Sequence, residues 1–182
     1  ITVNICINNN DSGIGVGGYR HIIANNLCLN NGQNSEASTR NGIDIQTKYS
    51  IIQGNICIDN QTAKTQQYGI YERSGGLLSS DYNMITNNVV KGNAVKGLYI
   101  VGANTIVHDN VGFVTEASGS VSFSGTSVSF AHGLAGTPTG VWASFNSTGY
   151  GGWTWTANST HITITVANSG SYTVYWRAEY QP

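Results

Sequence analysis

Hydrophobic and polar positions alternate in short bursts along the first 110 residues, and one burst recurs: an aliphatic residue, two spacers, then asparagine. It falls at Ile23-x-x-Asn26, Ile52-x-x-Asn55, Ile85-x-x-Asn88 and Val107-x-x-Asn110. Three copies continue in one register to Cys28-x-x-Asn31, Cys57-x-x-Asn60 and Val90-x-x-Asn93, and Asn4-x-Cys6-x-x-Asn9 is the tail of an earlier copy. The steps run from Asn26 to Asn55, Asn88 and Asn110, which is 29, 33 and 22 residues. A second marker, glycine then an aliphatic, falls once per copy at Gly13-Ile14, Gly42-Ile43, Gly69-Ile70 and Gly97-Leu98. Two markers interleaved in one order across uneven spacers define a solenoid. Breaker-rich spacers such as Asn31-Gly32-Gln33-Asn34-Ser35 show no helical period, which argues against a leucine-rich horseshoe. Ile5-Cys6-Ile7, Ile43-Asp44-Ile45 and Ile56-Cys57-Ile58 read as short strands, so the pattern predicts an all-β fold opening with a parallel β-helix.

In such a coil the asparagines have a physical task. Asparagine tolerates left-handed turns, and its amide bonds the backbone groups that turns leave unpaired. Coils stack ~4.8 Å apart, so Asn26/Asn55/Asn88/Asn110 and Asn31/Asn60/Asn93 are expected to form ladders. Cys6, Cys28 and Cys57 share one coil position that Val90 fills in the next copy, which reads as a small buried hydrophobe. If these residues face in, alternation turns Ile5, Ile7, Leu27, Leu29, Ile56, Ile58 and Val89 outward. Seven aliphatics on one wall call for a partner, and the expectation is a homotrimer through that wall. The inverted register, with the cysteines outside, stays open at this level.

Near Glu116 the composition switches, which sets the expected domains at residues 1–117 and 118–182. The tail has two charged residues, Arg177 and Glu179, and all four tryptophans. Alternating runs at Val121–Ser124, Val128–Ala131, Val141–Phe145, Trp153–Thr156, His161–Val166 and Tyr172–Tyr180 predict a small antiparallel β-sandwich cap.

Formal charge is −1 with 9% charged residues, which excludes electrostatic capture of nucleic acid or an anionic membrane as the main role. No apolar run reaches membrane-spanning length. The four histidines show no ligand spacing with the cysteines, so no metal and no cofactor is expected. The chain opens on Ile1 in mid-coil, and the expectation is the C-terminal piece of a longer protein.

The asparagine and isoleucine coils resemble right-handed parallel β-helix proteins of the pectate-lyase-like superfamily, over about residues 1–113. The stretch His132-Gly133-Leu134-Ala135-Gly136-Thr137-Pro138 with Tyr175-Trp176-Arg177-Ala178 resembles small β-domains that end viral tail-fibre-like proteins. The resemblance implies a polysaccharide ligand, a trimerising cap, and a place that is extracellular (secreted) or on a virion surface. Counting from the glycine marker aligns Asp44 with Tyr71 and Tyr99, and Glu72 and Arg73 with Ile45 and Gln46. Asp44, Glu72 and Arg73 are the catalytic candidates. Tyr71 and Tyr99 on the coil, with Trp142, Tyr150, Trp153, Trp155 and Tyr175 in the tail, are the carbohydrate-binding candidates, since aromatics offer flat apolar area without charge. Trp142 and Tyr175 fall out of phase with their apolar neighbours and are the better outward pair. The leading expectation is a carbohydrate-binding module. A polysaccharide lyase or glycoside hydrolase of the β-helix type is the alternative, and a trimerisation clamp without ligand is the third reading.

Overall fold

The computed structural model describes every residue except Glu36, Ser38 and Leu77, the last within the Ser74–Tyr82 loop. It is all-β, and the chain divides into two compact units, Ile1–Phe113 and Val114–Gln181. In the first unit the chain runs through β1 (Ile5–Ile7), β2 (Ile14–Tyr19) and β3 (Ile22–Ala24). It then repeats the circuit as β4 (Leu27–Leu29), β5 (Asn41–Lys48) and β6 (Ile51–Gln53), and again as β7 (Ile56–Ile58), β8 (Tyr68–Glu72) and β9 (Met84–Thr86). A last passage supplies β10 (Lys96–Tyr99) and β11 (Ile106–His108). Each circuit adds one strand to each of three parallel sheets, ordered β1-β4-β7, β10-β8-β5-β2 and β11-β9-β6-β3.

Register fixes what faces in. Cys6 pairs with Cys28 and Cys28 with Cys57, and Cys28 and Cys57 are fully buried, as is Val90. The inverted register is thereby excluded. Ile23, Ile52 and Ile85 form a second buried file, and Ile14, Ile43, Ile70 and Leu98 a third. The glycine marker has a steric cause. A Cβ on Gly42 would lie 2.6 Å from the Gly69 carbonyl oxygen and 2.8 Å from Cys57 Cβ, and one on Gly69 would lie 2.7 Å from the Gly97 oxygen. The small thiol position and the glycine file are therefore two halves of one close contact.

One corner is laddered as the spacing predicts. Asn4, Asn26, Asn55 and Asn88 each donate from Nδ2 to the Oδ1 of the next, at 2.9, 2.8, 2.9 and 3.0 Å, ending on Asn110. The residue before each ladder position (Val3, Asn25, Gly54, Asn87 and Asp109) has positive φ between 54° and 65°. Turning the chain there leaves backbone groups that the amides satisfy. The second ladder differs from expectation at one rung. Asn31 Nδ2 donates to Gln66 Oε1 and Gln66 Nε2 to Asn93 Oδ1, while Asn60 is exposed. Buried Asp59 accepts from the amides of Gln61, Thr65 and Gln66, folding the intervening loop so that Gln66 takes the rung.

Outward aliphatics remain uncovered. Ile5, Ile7 and Ile56 are exposed, with Leu27, Leu29, Ile58 and Val89 half-buried beside them. The neighbouring sheet adds a file that sequence reading missed: Ile22, Met84 and Ile106 are exposed too, with Ile51 half-buried between them.

In the second unit, six expected strands appear as four: β12 (Glu116–Ala131), β13 (Gly140–Phe145), β14 (Trp153–Ala157) and β15 (His161–Glu179). The first two runs merge through a bulge at Gly125/Ser127, where Gly125 has φ 109°, and the last two merge through Ala167–Ser171. β12 pairs with β15 along its length; β13 pairs with the C-terminal part of β15 and β14 with the N-terminal part, all antiparallel. Leu134, Val141, Ile162, Ile164, Val174 and Ala178 from both parts form one core cluster. His132 is buried at the turn, accepting from Leu134 N at Nδ1 and contacting the Asn158 oxygen through Nε2.

Candidate functional site

The outer face of the β2-β5-β8-β10 sheet carries the polar and aromatic side chains that the core files exclude. Period-two alternation places Gly15, Asp44, Tyr71 and Tyr99 in one lateral file, because these residues are paired strand to strand. Gly17 pairs with Gln46 in the next outward file, and Arg73 follows the end of β8. The glycines on β2 leave that end of the wall low, while the tyrosines raise the other. Tyr71 and Tyr99 stack with ring centroids 4.7 Å apart and planes at 11°, and Tyr68 tilts onto both.

Asp44 sits between these ends and is buried, only 4% exposed. The guanidinium of Arg73 covers it with two bonds, Nε to Oδ1 and Nη2 to Oδ2, the latter 3.1 Å, and Asn41 Nδ2 donates to Oδ2 at 2.8 Å. That pairing holds the Arg73 guanidinium above its ordinary pKa, chiefly through the hydrogen bond to Asp44. Burial, then the neighbouring Tyr99, Tyr68 and Asp44, push the Tyr71 phenol up, so Tyr71 stays a hydroxyl donor.

Two clefts flank the ion pair. One, of about 420 Å³, is lined by Asp11, Ser12, Gly15, Thr39, Gln46 and the pair itself. The other, of about 340 Å³, is lined by Asn41, Gln67, Tyr68, Tyr71 and Ser74 with Thr39, Asp44 and Arg73. Asp11 and Asn41 escaped the sequence reading. Asp11 precedes β2 in a loop, and Asn41 opens β5 where alternation has not yet declared a face; the only cue was their nearness to the glycine markers.

Glu72 lies on the opposite side of the strand from Asp44 and Arg73. Its neighbour in register is Ile45, and it is fully buried. Asn83 Nδ2, Thr105 Oγ1, Val101 N and Gly102 N all donate to its carboxylate, at 2.8 to 3.1 Å. A carboxylate with four donors inside the coil is a scaffold group that satisfies a turn. The wall therefore unites Asp44, Arg73, Tyr71 and Tyr99 and leaves Glu72 out.

The tail candidates separate by face. Trp153 and Trp155 are half-buried and pack against the core cluster, and Tyr150 stacks on Phe145 at 4.4 Å. Trp142 and Tyr175 are each 54% exposed and line a shallow depression with Ser144 and Arg177. Arg177 is neutralised by Glu116 and Glu179. No known family model matches the chain, and no curated protein matches it.

Proposed function

We propose that the chain is a carbohydrate-recognition module, formed by coils of a right-handed parallel β-helix and followed by a small antiparallel β-domain. It binds a polysaccharide along the groove wall, outside cells or on a virion surface, and assembles as a homotrimer. The observation that carries this reading is the stacked Tyr71–Tyr99 file adjoining the Asp44–Arg73 pair between two clefts. Sugar rings present apolar C–H faces and hydroxyl edges; the stacked phenols match the first and the polar clefts match the second. Trp142 and Tyr175 supply a second, shallower platform of the same chemistry. The outward file through Ile5, Ile7, Leu27, Leu29, Ile56, Ile58 and Val89 supports self-association, since fully burying an exposed aliphatic contributes ~1.5–3 kcal/mol and the four half-buried ones contribute less.

Hydrolysis by paired carboxylates finds less support. It needs one carboxyl free to give a proton and a second free to attack or activate water. Here both Asp44 oxygens are bonded to Arg73, and Glu72 is inside the coil. A glycan array combined with a reducing-sugar assay separates the readings. Binding without turnover supports recognition, turnover supports a lyase or hydrolase, and the absence of both supports a structural clamp. Tyr71→Ala with Tyr99→Ala is expected to abolish binding, whereas retention with loss in Trp142→Ala/Tyr175→Ala moves the site to the tail. Sedimentation of a stable folded monomer overturns the trimer.

A further inference from the structure

We infer that the groove selects neutral, hydroxyl-bearing saccharides over uronates and other anionic polymers, with Asn41 Oδ1 accepting a hydrogen bond from a ligand hydroxyl. The inference rests on the carbohydrate reading of the same wall and names the class of sugar it takes. Its first support is an unused acceptor. Asn41 is 4% exposed and lines the smaller cleft, yet among buried side-chain atoms of the described residues only its Oδ1 and Arg40 Nε have no partner. Leaving a buried acceptor unmet costs about 1–3 kcal/mol; Oδ1 is itself closed to solvent, so a ligand hydroxyl in the cleft completes it as the Asn41 side chain shifts toward that cleft. Asn41 cannot meet the need by turning its amide over, because Nδ2 is committed to Asp44 Oδ2.

The second support is charge. Asp44 and Arg73 cancel each other, and Asp11 leaves the described lining of the larger cleft with one net negative charge. Among the described residues, Asp11 Oδ1 takes bonds from Ser12 N and the Thr39 hydroxyl. A uronate carboxylate placed there meets like charge and finds Arg73 already engaged. A neutral sugar meets acceptors that want O–H donors. Hydroxyl recognition of this kind discriminates sharply, because a ligand without the donor leaves the site's polar group unpaired.

The test is affinity electrophoresis of the full chain against neutral polysaccharides (a β-glucan, a galactomannan, an arabinan) and polyuronates (polygalacturonate, alginate). Neutral polymers are expected to bind about tenfold or more tightly than polyuronates, with little change on adding salt. Asn41→Leu is expected to weaken neutral binding about tenfold; it removes the unmet acceptor but also the Nδ2 bond to Asp44, so affinity is read on protein that circular dichroism shows to be folded. Asp11→Asn, an exposed change that keeps the measurement readable should Asn41→Leu unfold the coil, is expected to raise polyuronate affinity about tenfold. Tighter binding of polyuronates, or wild-type neutral affinity in a folded Asn41→Leu protein, overturns the inference and leaves the carbohydrate reading standing. Failure of every saccharide to bind overturns that reading itself, and the selectivity with it.

Discussion

Asn55→Ala and Asn60→Ala make a matched pair, because both residues occupy the ladder position of one sequence repeat and only Asn55 is a rung. The Asn55 side chain makes five hydrogen bonds: Nδ2 to Ile23 O, Gln53 O and Asn88 Oδ1, and Oδ1 from both nitrogens of Asn26. At a net value of about 1 kcal/mol for each, with Asn26 N–H losing the side-chain acceptor it has in the fold, the truncation is expected to cost about 3–5 kcal/mol. Asn60 is exposed, and its backbone N–H keeps its bond to Asn30 Oδ1 when the side chain is cut. Its removal is expected to stay within about 0.5 kcal/mol of wild type. Denaturant unfolding of the full chain reads the difference. Far-ultraviolet dichroism follows both units, whereas tryptophan fluorescence follows only residues 114–181, which hold every tryptophan. A coil transition shifted equally by the two variants, or unmoved by Asn55→Ala, refutes the ladder energetics.

Glu72→Gln keeps shape but turns an NH₂ group toward backbone donors of Val101 and Gly102 or toward Asn83 and Thr105. The expected loss is about 2–4 kcal/mol of coil stability with unchanged glycan affinity in the folded fraction; lost affinity without lost stability assigns Glu72 a direct ligand role. Burial pushes the Cys57 thiol well above its usual pKa, helped by the adjacent Cys28. The raised pKa means a contribution fully present below the ordinary thiol range and lost as pH rises through the folded value. In mildly alkaline buffer a thiol reagent is therefore expected to reach half-exposed Cys6 first, and Cys28 and Cys57 only after unfolding. Rapid labelling of all three in the native protein contradicts this. Hydrogen bonds from Asn104 and Tyr82 hold the Asp81 carboxyl below the usual carboxylate range, Asn104 N being the largest cause. The lowered pKa means its hold on Asn104 is present above the ordinary carboxylate range and released as pH falls through the folded value. The Asn104 amide proton is expected to shift upfield on that descent, and an amide indifferent to acid rules the contact out.

The coil was legible in the sequence because its two markers are each enforced by a contact that recurs every circuit: amide on amide, and glycine against the next carbonyl. Asn60 misled because a rung is a position in space. The loop that Asp59 closes delivers Gln66 there instead, and nothing in the repeat spacing says so. On the wall, counting from glycine placed Asp44, Tyr71 and Tyr99 together, since strand pairing preserves the count. Glu72 was grouped with them although parity alone sends it inward, one residue past Tyr71. In the tail, phase against Val141, Ala143 and Phe145 marked Trp142 as outward. Trp153 and Trp155 shared a face, but which face meets the core is decided by how β12 and β15 fold over one cluster. The merging of six runs into four strands was hidden at Gly125 and Gly170, which pair with each other beside the bulge within longer strands.

The ladder corner joins its two sheets through only two residues in every circuit, Asn25-Asn26, Gly54-Asn55 and Asn87-Asn88 among them. All the variation in circuit length falls instead at the two edges of the tyrosine-bearing sheet, between β1 and β2, β4 and β5 or β7 and β8 on one side and between β8 and β9 or β10 and β11 on the other. Asp11, Thr39 and Ser74 come from these segments. Loops at these two edges can thus be lengthened, shortened or exchanged while the amide spine at the far corner holds its pitch, and a designer grafting new loops has two places to work.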